Sequence, residues 1–106
     1  MFNPFANEAA TVTASSGAAT LHDVKCKVTT EALTTAAGAS YTLTLTNKKV
    51  MATSTVLVSV CYGSATAGTP VVAMVTPAAG SVVVVVKNDH ASDALDGTLK
   101  ISLLIL

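Results

Sequence analysis

The chain has 106 residues, six Lys and no Arg, a formal net charge of zero and only 11% charged residues. Scattered lysines do not provide the clustered cations that nucleic-acid binding needs, and no stretch reaches the roughly 18 apolar residues of a membrane span. Val and Thr are abundant while Trp is absent, and because β-branched side chains pack well on pleated surfaces, the composition predicts one all-β domain.

Residues 1 to 19 are predicted to form an extended N-terminal arm, and residues 20 to 106 a β-sandwich domain. From residue 9 to residue 19 the chain is mainly Ala, Thr, Ser and Gly without a sustained period, so it cannot bury enough apolar area to offset its ordering entropy. Phe2 and Phe5 are the only Phe residues. They mark either a frayed terminus or an anchor that docks two rings on a neighbouring molecule. The basic region and apolar core of a secretory signal are not seen.

Six segments with strand-like alternation follow in chain order. The second is the clearest, since Tyr41, Leu43 and Leu45 alternate with threonines, as is typical of a strand with one wet face. A Pro and a Gly between residues 77 and 81 predict the turn of a hairpin. The six predicted strands cover residues 21–29, 41–46, 55–62, 71–76, 82–87 and 98–106. Their short, even spacing predicts an antiparallel β-sandwich of jelly-roll or immunoglobulin-like type, with a barrel as the alternative.

The last three predicted strands carry apolar side chains on both faces. In residues 82–87, three valines share one face, while Val83 and Val85 share the other. A strand that is apolar on both faces is normally covered on both, and a six-stranded sandwich has no further layer to cover it. Either the arm or a long loop lies over this surface, or it is a subunit interface. The predicted interface residues are Val72, Met74, Val83, Val85, Leu104 and Leu106.

Cys26 and Cys61 each fall within a predicted strand and do not form a redox or zinc motif. We interpret them as reduced, buried thiols that serve as small hydrophobic side chains. A disulfide between the two strands is the alternative.

A polar loop holds Asp89, His90, Asp93 and Asp96. These side chains could ligate a hard cation, but they lack the alternating spacing and the closing Glu of an EF-hand loop. Neither of the two His residues lies in a recognisable catalytic signature. The sequence therefore predicts a solvated loop, and no enzymatic activity, cofactor or metal site.

Four segments together resemble those of a known group of proteins: TTEALTT at residues 29–35, YTLTLTN at 41–47, VTPAAGSV at 75–82 and VKNDHA at 86–91. The stretch from about residue 25 to residue 106 is similar to small β proteins encoded among the virion structural genes of tailed bacteriophages. The resemblance implies a virion component, either a capsid decoration (cement) protein or a head-fibre or tail-fibre element, often trimeric. Decoration proteins commonly grip the shell with an N-terminal arm, which would make Phe2 and Phe5 the shell anchor.

The resulting prediction is a structural phage protein that associates with itself as a homotrimer and with the major capsid protein. It would be made in the host cytoplasm and would lie on the surface of the phage head. The alternative is a head-fibre or tail-fibre module that binds a host-surface carbohydrate. Carbohydrate sites present exposed aromatic rings, whereas Tyr41 and Tyr62 are both predicted on core faces, which favours the structural role.

Overall fold

The computed structural model describes residues 10 to 106, so Phe2 and Phe5 lie outside the described residues. This part of the chain forms eight strands and no helix. The strands are β1 (Ala10–Thr13), β2 (Ala18–Thr20), β3 (Lys25–Thr29), β4 (Ser40–Thr46), β5 (Val56–Tyr62), β6 (Pro70–Ala78), β7 (Ser81–Asn88) and β8 (Leu99–Ile105).

The strands form two packed four-stranded sheets, which confirms the all-β sandwich. Sheet A has the order β1-β3-β8-β5, and sheet B has the order β2-β4-β7-β6. Four of the six strand pairs are antiparallel, as predicted, but β1 runs parallel to β3, and β2 runs parallel to β4. The six predicted strands correspond to β3 through β8. Their predicted limits agree within two residues, except that β3 begins at Lys25 rather than at residue 21.

Aliphatic side chains from the two inner strands of each sheet form the core. In β4 every second residue is buried, and the threonines between them are exposed; β7 and β8 keep the same period. Connecting segments add Leu33, Val50 and Leu95 to this core. The aliphatic strand residues with no accessible surface are Val28, Leu43, Leu45, Val82, Val84, Val86, Leu99 and Ile101.

The predicted arm is wrong for residues 10 to 19, which belong to the sandwich. Strand β1 adds to the edge of sheet A and β2 to the edge of sheet B. Ala14, which follows β1, and Ala19, which lies in β2, are both buried. The segment crosses between the sheets at Gly17, where φ is +75° and a β-carbon would lie 2.6 Å from the Thr42 carbonyl oxygen. Glycine is therefore required there. Small side chains suffice because backbone pairing with β3 and β4 holds the segment in place.

Glu31 ties this N-terminal segment to the rest of the fold. One carboxylate oxygen accepts a hydrogen bond from the Gly17 backbone N–H at 2.8 Å, and the other accepts one from the Tyr41 hydroxyl at 2.8 Å. Burial alone would raise the pKa of Glu31, but hydrogen bonds with its own main chain, Tyr41 and Gly17 outweigh that effect and hold the pKa below its ordinary value of 4.5. Burial and the bond to Glu31 raise the pKa of Tyr41 well above its usual range.

Two buried asparagines close the two ends of the sandwich. We call the end with residues 21–24, 47–55 and 79–80 the lower end, and the end with residues 30–39, 63–69 and 89–98 the upper end. At the lower end, the Asn47 amide nitrogen donates to the Asp23 carbonyl oxygen at 2.6 Å. At the upper end, the Asn88 amide makes four hydrogen bonds to backbone groups of three different connections. Neutral side chains therefore hold the connecting loops together.

Substitution of Ala14 by Asp should destabilise the fold, because it places a carboxylate in the core without a partner. We expect the free energy of unfolding to fall by about 3 kcal/mol or more. The neighbouring Thr13→Asp, at an exposed position of the same segment, should cost about 1 kcal/mol or less. Urea denaturation of both variants measures the difference. Equal, small effects would mean that residues 10 to 19 lie outside the core.

Glu31→Gln should make stability less sensitive to acid. Because the pKa of Glu31 is lowered in the folded protein, its ionisation stabilises the fold above pH 4.5, and this contribution is lost as the pH falls through the lowered value. The difference in unfolding free energy between wild type and Glu31→Gln should therefore shrink from pH 7 to pH 3 in urea denaturation. Asp89→Asn, at an exposed carboxylate outside this set of bonds, is the control. If the difference in unfolding free energy between wild type and Glu31→Gln stays constant from pH 7 to pH 3, ionisation of Glu31 does not stabilise the fold.

Candidate interaction surfaces

The outer face of sheet B is almost uncharged and carries a band of apolar side chains. Val85 lies between Thr42 on β4 and Met74 on β6, and Val83 lies one row further along. Met74 is 59% exposed and Val71 is 37% exposed, while Val83 and Val85 are partly covered by their neighbours. Apart from the threonines that border it, this band presents hydrocarbon to the solvent. It is the apolar second face that the sequence of β7 predicted.

The outer face of sheet A has a different chemistry. Lys25 and Lys27 on β3 and Lys100 on β8 point outward from it, with serines beside them. Lysine side chains keep their ammonium groups in water while their stems cover the strands. Of the two outer faces, that of sheet B is therefore the one suited to being covered by another protein surface.

The six predicted interface residues do not form one patch. Val83, Val85 and Met74 lie together on the outer face of sheet B, whereas Leu104 lies on the outer face of sheet A. Leu106 is 66% exposed at the lower end. Alternation along the sequence does not show which strand belongs to which sheet. The sequence therefore could not show that these residues lie on different surfaces.

Val72 faces the core, so it is not part of the outward apolar face on which its predicted interface role was based. The register between β6 and β7 shifts between Val72 and Met74, and Val72 pairs with the buried Val86 while Met74 pairs with Val85. The extra residue, Ala73, is a bulge that puts Val72 and Met74 on opposite faces. Simple alternation placed them on the same face.

A second apolar surface, which we call the leucine patch, consists of Leu57, Leu104 and Leu106. Leu57 pairs directly with Leu104 on the outer face of sheet A, and backbone hydrogen bonds between Leu106 and Thr55 continue this ladder to the lower end. Leu57 is 53% exposed, and Met51 in the lower-end connection is 63% exposed. Neither was predicted. The alternation of β5 contained the signal for Leu57, but nothing in the sequence distinguished Met51 from a covered loop residue.

Asp96 braces two loops at the upper end. Its carboxylate accepts hydrogen bonds from the Thr66 backbone N–H at 2.6 Å, the Thr66 hydroxyl at 2.8 Å and the Ala67 backbone N–H at 3.0 Å. These bonds hold the pKa of Asp96 below its ordinary value. An acidic side chain in this position serves as a loop anchor.

Of the other three side chains of the predicted polar loop, His90 and Asp93 contact each other, with 3.7 Å between Nε2 and Oδ2, and Asp89 has a different partner. The Nδ1 atom of His90 accepts the backbone N–H groups of Ser92 and Asp93 at 3.0 and 2.9 Å, and Asp89 lies 3.7 Å from the Lys87 ammonium. Within residues 10 to 106, no group of three His, Cys, Asp or Glu side chains is arranged to hold a metal ion.

The two cysteines are free, and they occupy different environments. Cys26 is buried, its thiol donates to the Asp23 carbonyl oxygen at 3.2 Å, and burial together with the nearby Asp23 carboxylate raises its pKa to about 11. Cys61 is exposed on the outer face of sheet A, so the prediction that both are buried is wrong for Cys61. The residue lies on the opposite face of β5 from the valines.

Residues 10 to 106 contain no helix that is long and apolar enough to cross a membrane. Comparisons of the chain with protein-family models, with curated proteins and with solved structures found no match.

Proposed function

We propose that the chain is a structural virion protein of a tailed phage, a capsid decoration protein that associates with copies of itself and binds the shell. The observation that supports this role most directly is the apolar band on the outer face of sheet B. Contiguous exposed apolar surface on a small domain usually marks an interface. The similarity of the segments between residues 25 and 106 to small phage virion proteins supplies the kind of assembly and the trimeric state.

The apolar band provides part of the free energy that association needs. Full burial of a Val or Met side chain contributes about 1.5–3 kcal/mol, and Val83 and Val85 contribute less because they are already partly covered. One face thus contributes on the order of 3 kcal/mol to a subunit contact, below the roughly 4–15 kcal/mol cost of association, so the band is one part of the trimer contact. Copies held at neighbouring sites on a shell overcome this cost more easily, because their effective concentration is high.

Shell contact is assigned to the lower end. Ala10, the first described residue, pairs with Cys26 close to this end of sheet A, and the leucine patch and Met51 lie at the same end. The chain that precedes Ala10 carries Phe2 and Phe5. These apolar side chains lie at the end of the sandwich where that segment joins β1, and they would contact the major capsid protein as partner.

A fibre module that binds host-surface carbohydrate is the second candidate, and one observation favours it. Tyr62 was predicted on a core face, but its ring is 45% exposed at the upper end of β5, and its hydroxyl donates to the Gly68 carbonyl oxygen. Exposed aromatic rings are what sugars stack on. A glycan array with wild type and Tyr62→Ala separates the candidates, since binding that depends on Tyr62 would support the fibre module.

Val85→Asp should abolish formation of the trimer, because the trimer contact would then bury an unpaired carboxylate. Ser102→Asp is the matched control, since Ser102 is also a partly buried, outward-facing residue of a central strand, but in sheet A. Light scattering coupled to size-exclusion chromatography should give a trimer for wild type and Ser102→Asp, and loss of the trimer for Val85→Asp. A wild-type monomer at micromolar concentration would contradict the self-association.

Deletion of residues 1 to 8 should abolish binding to phage heads that lack this protein, and it should leave the trimer intact. The physical reason is that the deletion removes both phenylalanines and none of the described strands. Phe2→Ser with Phe5→Ser is the finer variant. Cosedimentation with heads measures binding. If the truncated chain binds as well as wild type, the shell contact does not involve this segment.

A further inference from the structure

The four edge strands of the sandwich differ in how well they are protected against pairing with another chain. Free strand edges invite such pairing, and proteins protect them with short strands, prolines, bulges or charges. On one side of the sandwich, β1 and β2 have only four and three residues. On the other side, β6 contains Pro70, Pro77 and the bulge at Ala73.

Strand β5 has none of these protections. Its seven residues, VLVSVCY, include no charge and no proline, and its register with β8 is continuous from Val56 to Tyr62. Within the described part of the chain, β8 is its only ladder partner, because β5 ends sheet A. No residue of β5 is buried, and even Val56, Val58 and Val60, which face the core, are only partly covered.

The sequence of β5 is also complementary to itself when two copies run antiparallel. With a two-fold axis at Ser59, all seven residues pair: Ser59 meets its own copy, Val58 meets Val60, Leu57 meets Cys61 and Val56 meets Tyr62. Inward-facing residues then oppose inward-facing ones, as a continuous sheet requires. A two-fold contact brings the same patch of both subunits together.

We propose that β5 is a strand-pairing site for a second copy of this chain, which joins two A sheets into one eight-stranded sheet. Backbone hydrogen bonds supply the recognition, as in other cases of strand addition. The half-covered inner valines of both copies would then be enclosed at the joint. This contact is separate from the outer face of sheet B, and it does not depend on the virion role.

Disulfide trapping tests this pairing and its register. Ser59→Cys with Cys61→Ser places two thiols opposite each other across the axis, within the Cα separation of about 7 Å that a disulfide allows. Ser102→Cys with Cys61→Ser is the control, because Ser102 neighbours Ser59 on the same face of β8 but would lie three strand spacings, about 14 Å, from its copy. Leu57→Cys in the otherwise native chain should bond to Cys61 of the second copy.

With oxidised glutathione, we expect covalent dimers of the Ser59→Cys and Leu57→Cys variants at several times the yield of the Ser102→Cys control. Urea should remove the difference. Circular dichroism establishes that each variant is folded, and peptide mapping identifies the bonded cysteines. Equal yields for Ser59→Cys and the control would overturn the proposal. Efficient Cys61–Cys61 bonding in the wild type would also overturn it, because it places the axis at another residue. Trapping unaffected by Val85→Asp would show that the contact stands apart from the outer face of sheet B.

Discussion

The packing of two aliphatic inner faces against each other is the constraint on which the molecule depends. Within the described chain the core is built from Val, Leu and Ile with a single aromatic side chain, that of Tyr41. Such a core is thin, and the strands must keep strict alternation to fill it. The polar groups at its ends are therefore satisfied locally, by Asn47 below and Asn88 above. No buried side-chain nitrogen or oxygen among the described residues lacks a hydrogen-bond partner.

The sequence was informative where alternation alone decides the structure and uninformative where long-range pairing does. β4, β7 and β8 could be recognised because each buries every second residue. β1 and β2 could not, since their Ala and Thr residues carry little apolar area, and pairing with strands further along the chain supplies their order. The bulge in β6 and the division of the apolar residues between two sheets were likewise invisible. The sequence therefore predicted that apolar surface residues exist, but it could not predict which of them lie together on one surface.

The distribution of charge gives the sandwich distinct sides. Three lysines lie on the outer face of sheet A beside the leucine patch, while the outer face of sheet B has one lysine, Lys87, and otherwise presents Val and Met between rows of Thr. The edge formed by β5 and β6 is apolar, while β1 and β2, which form the opposite edge, are short strands with mostly small side chains. A protein whose charged and apolar side chains are divided between different sides is suited to the layer of neighbouring copies proposed above, in which some sides are covered.

The position of β8 has a consequence for how the chain acquires this structure. It is the last strand in sequence, yet it lies between β3 and β5 in the middle of sheet A. During synthesis, β3 and β5 therefore emerge without the strand that joins them, while β4, β6 and β7 can already pair. Once β7 has been made, sheet B is free to form, and part of its inner face stays uncovered until β8 completes sheet A. The nascent chain is thus exposed to aggregation through that face while residues 89 to 105 are added, and closure of sheet A onto sheet B becomes the step that protects it.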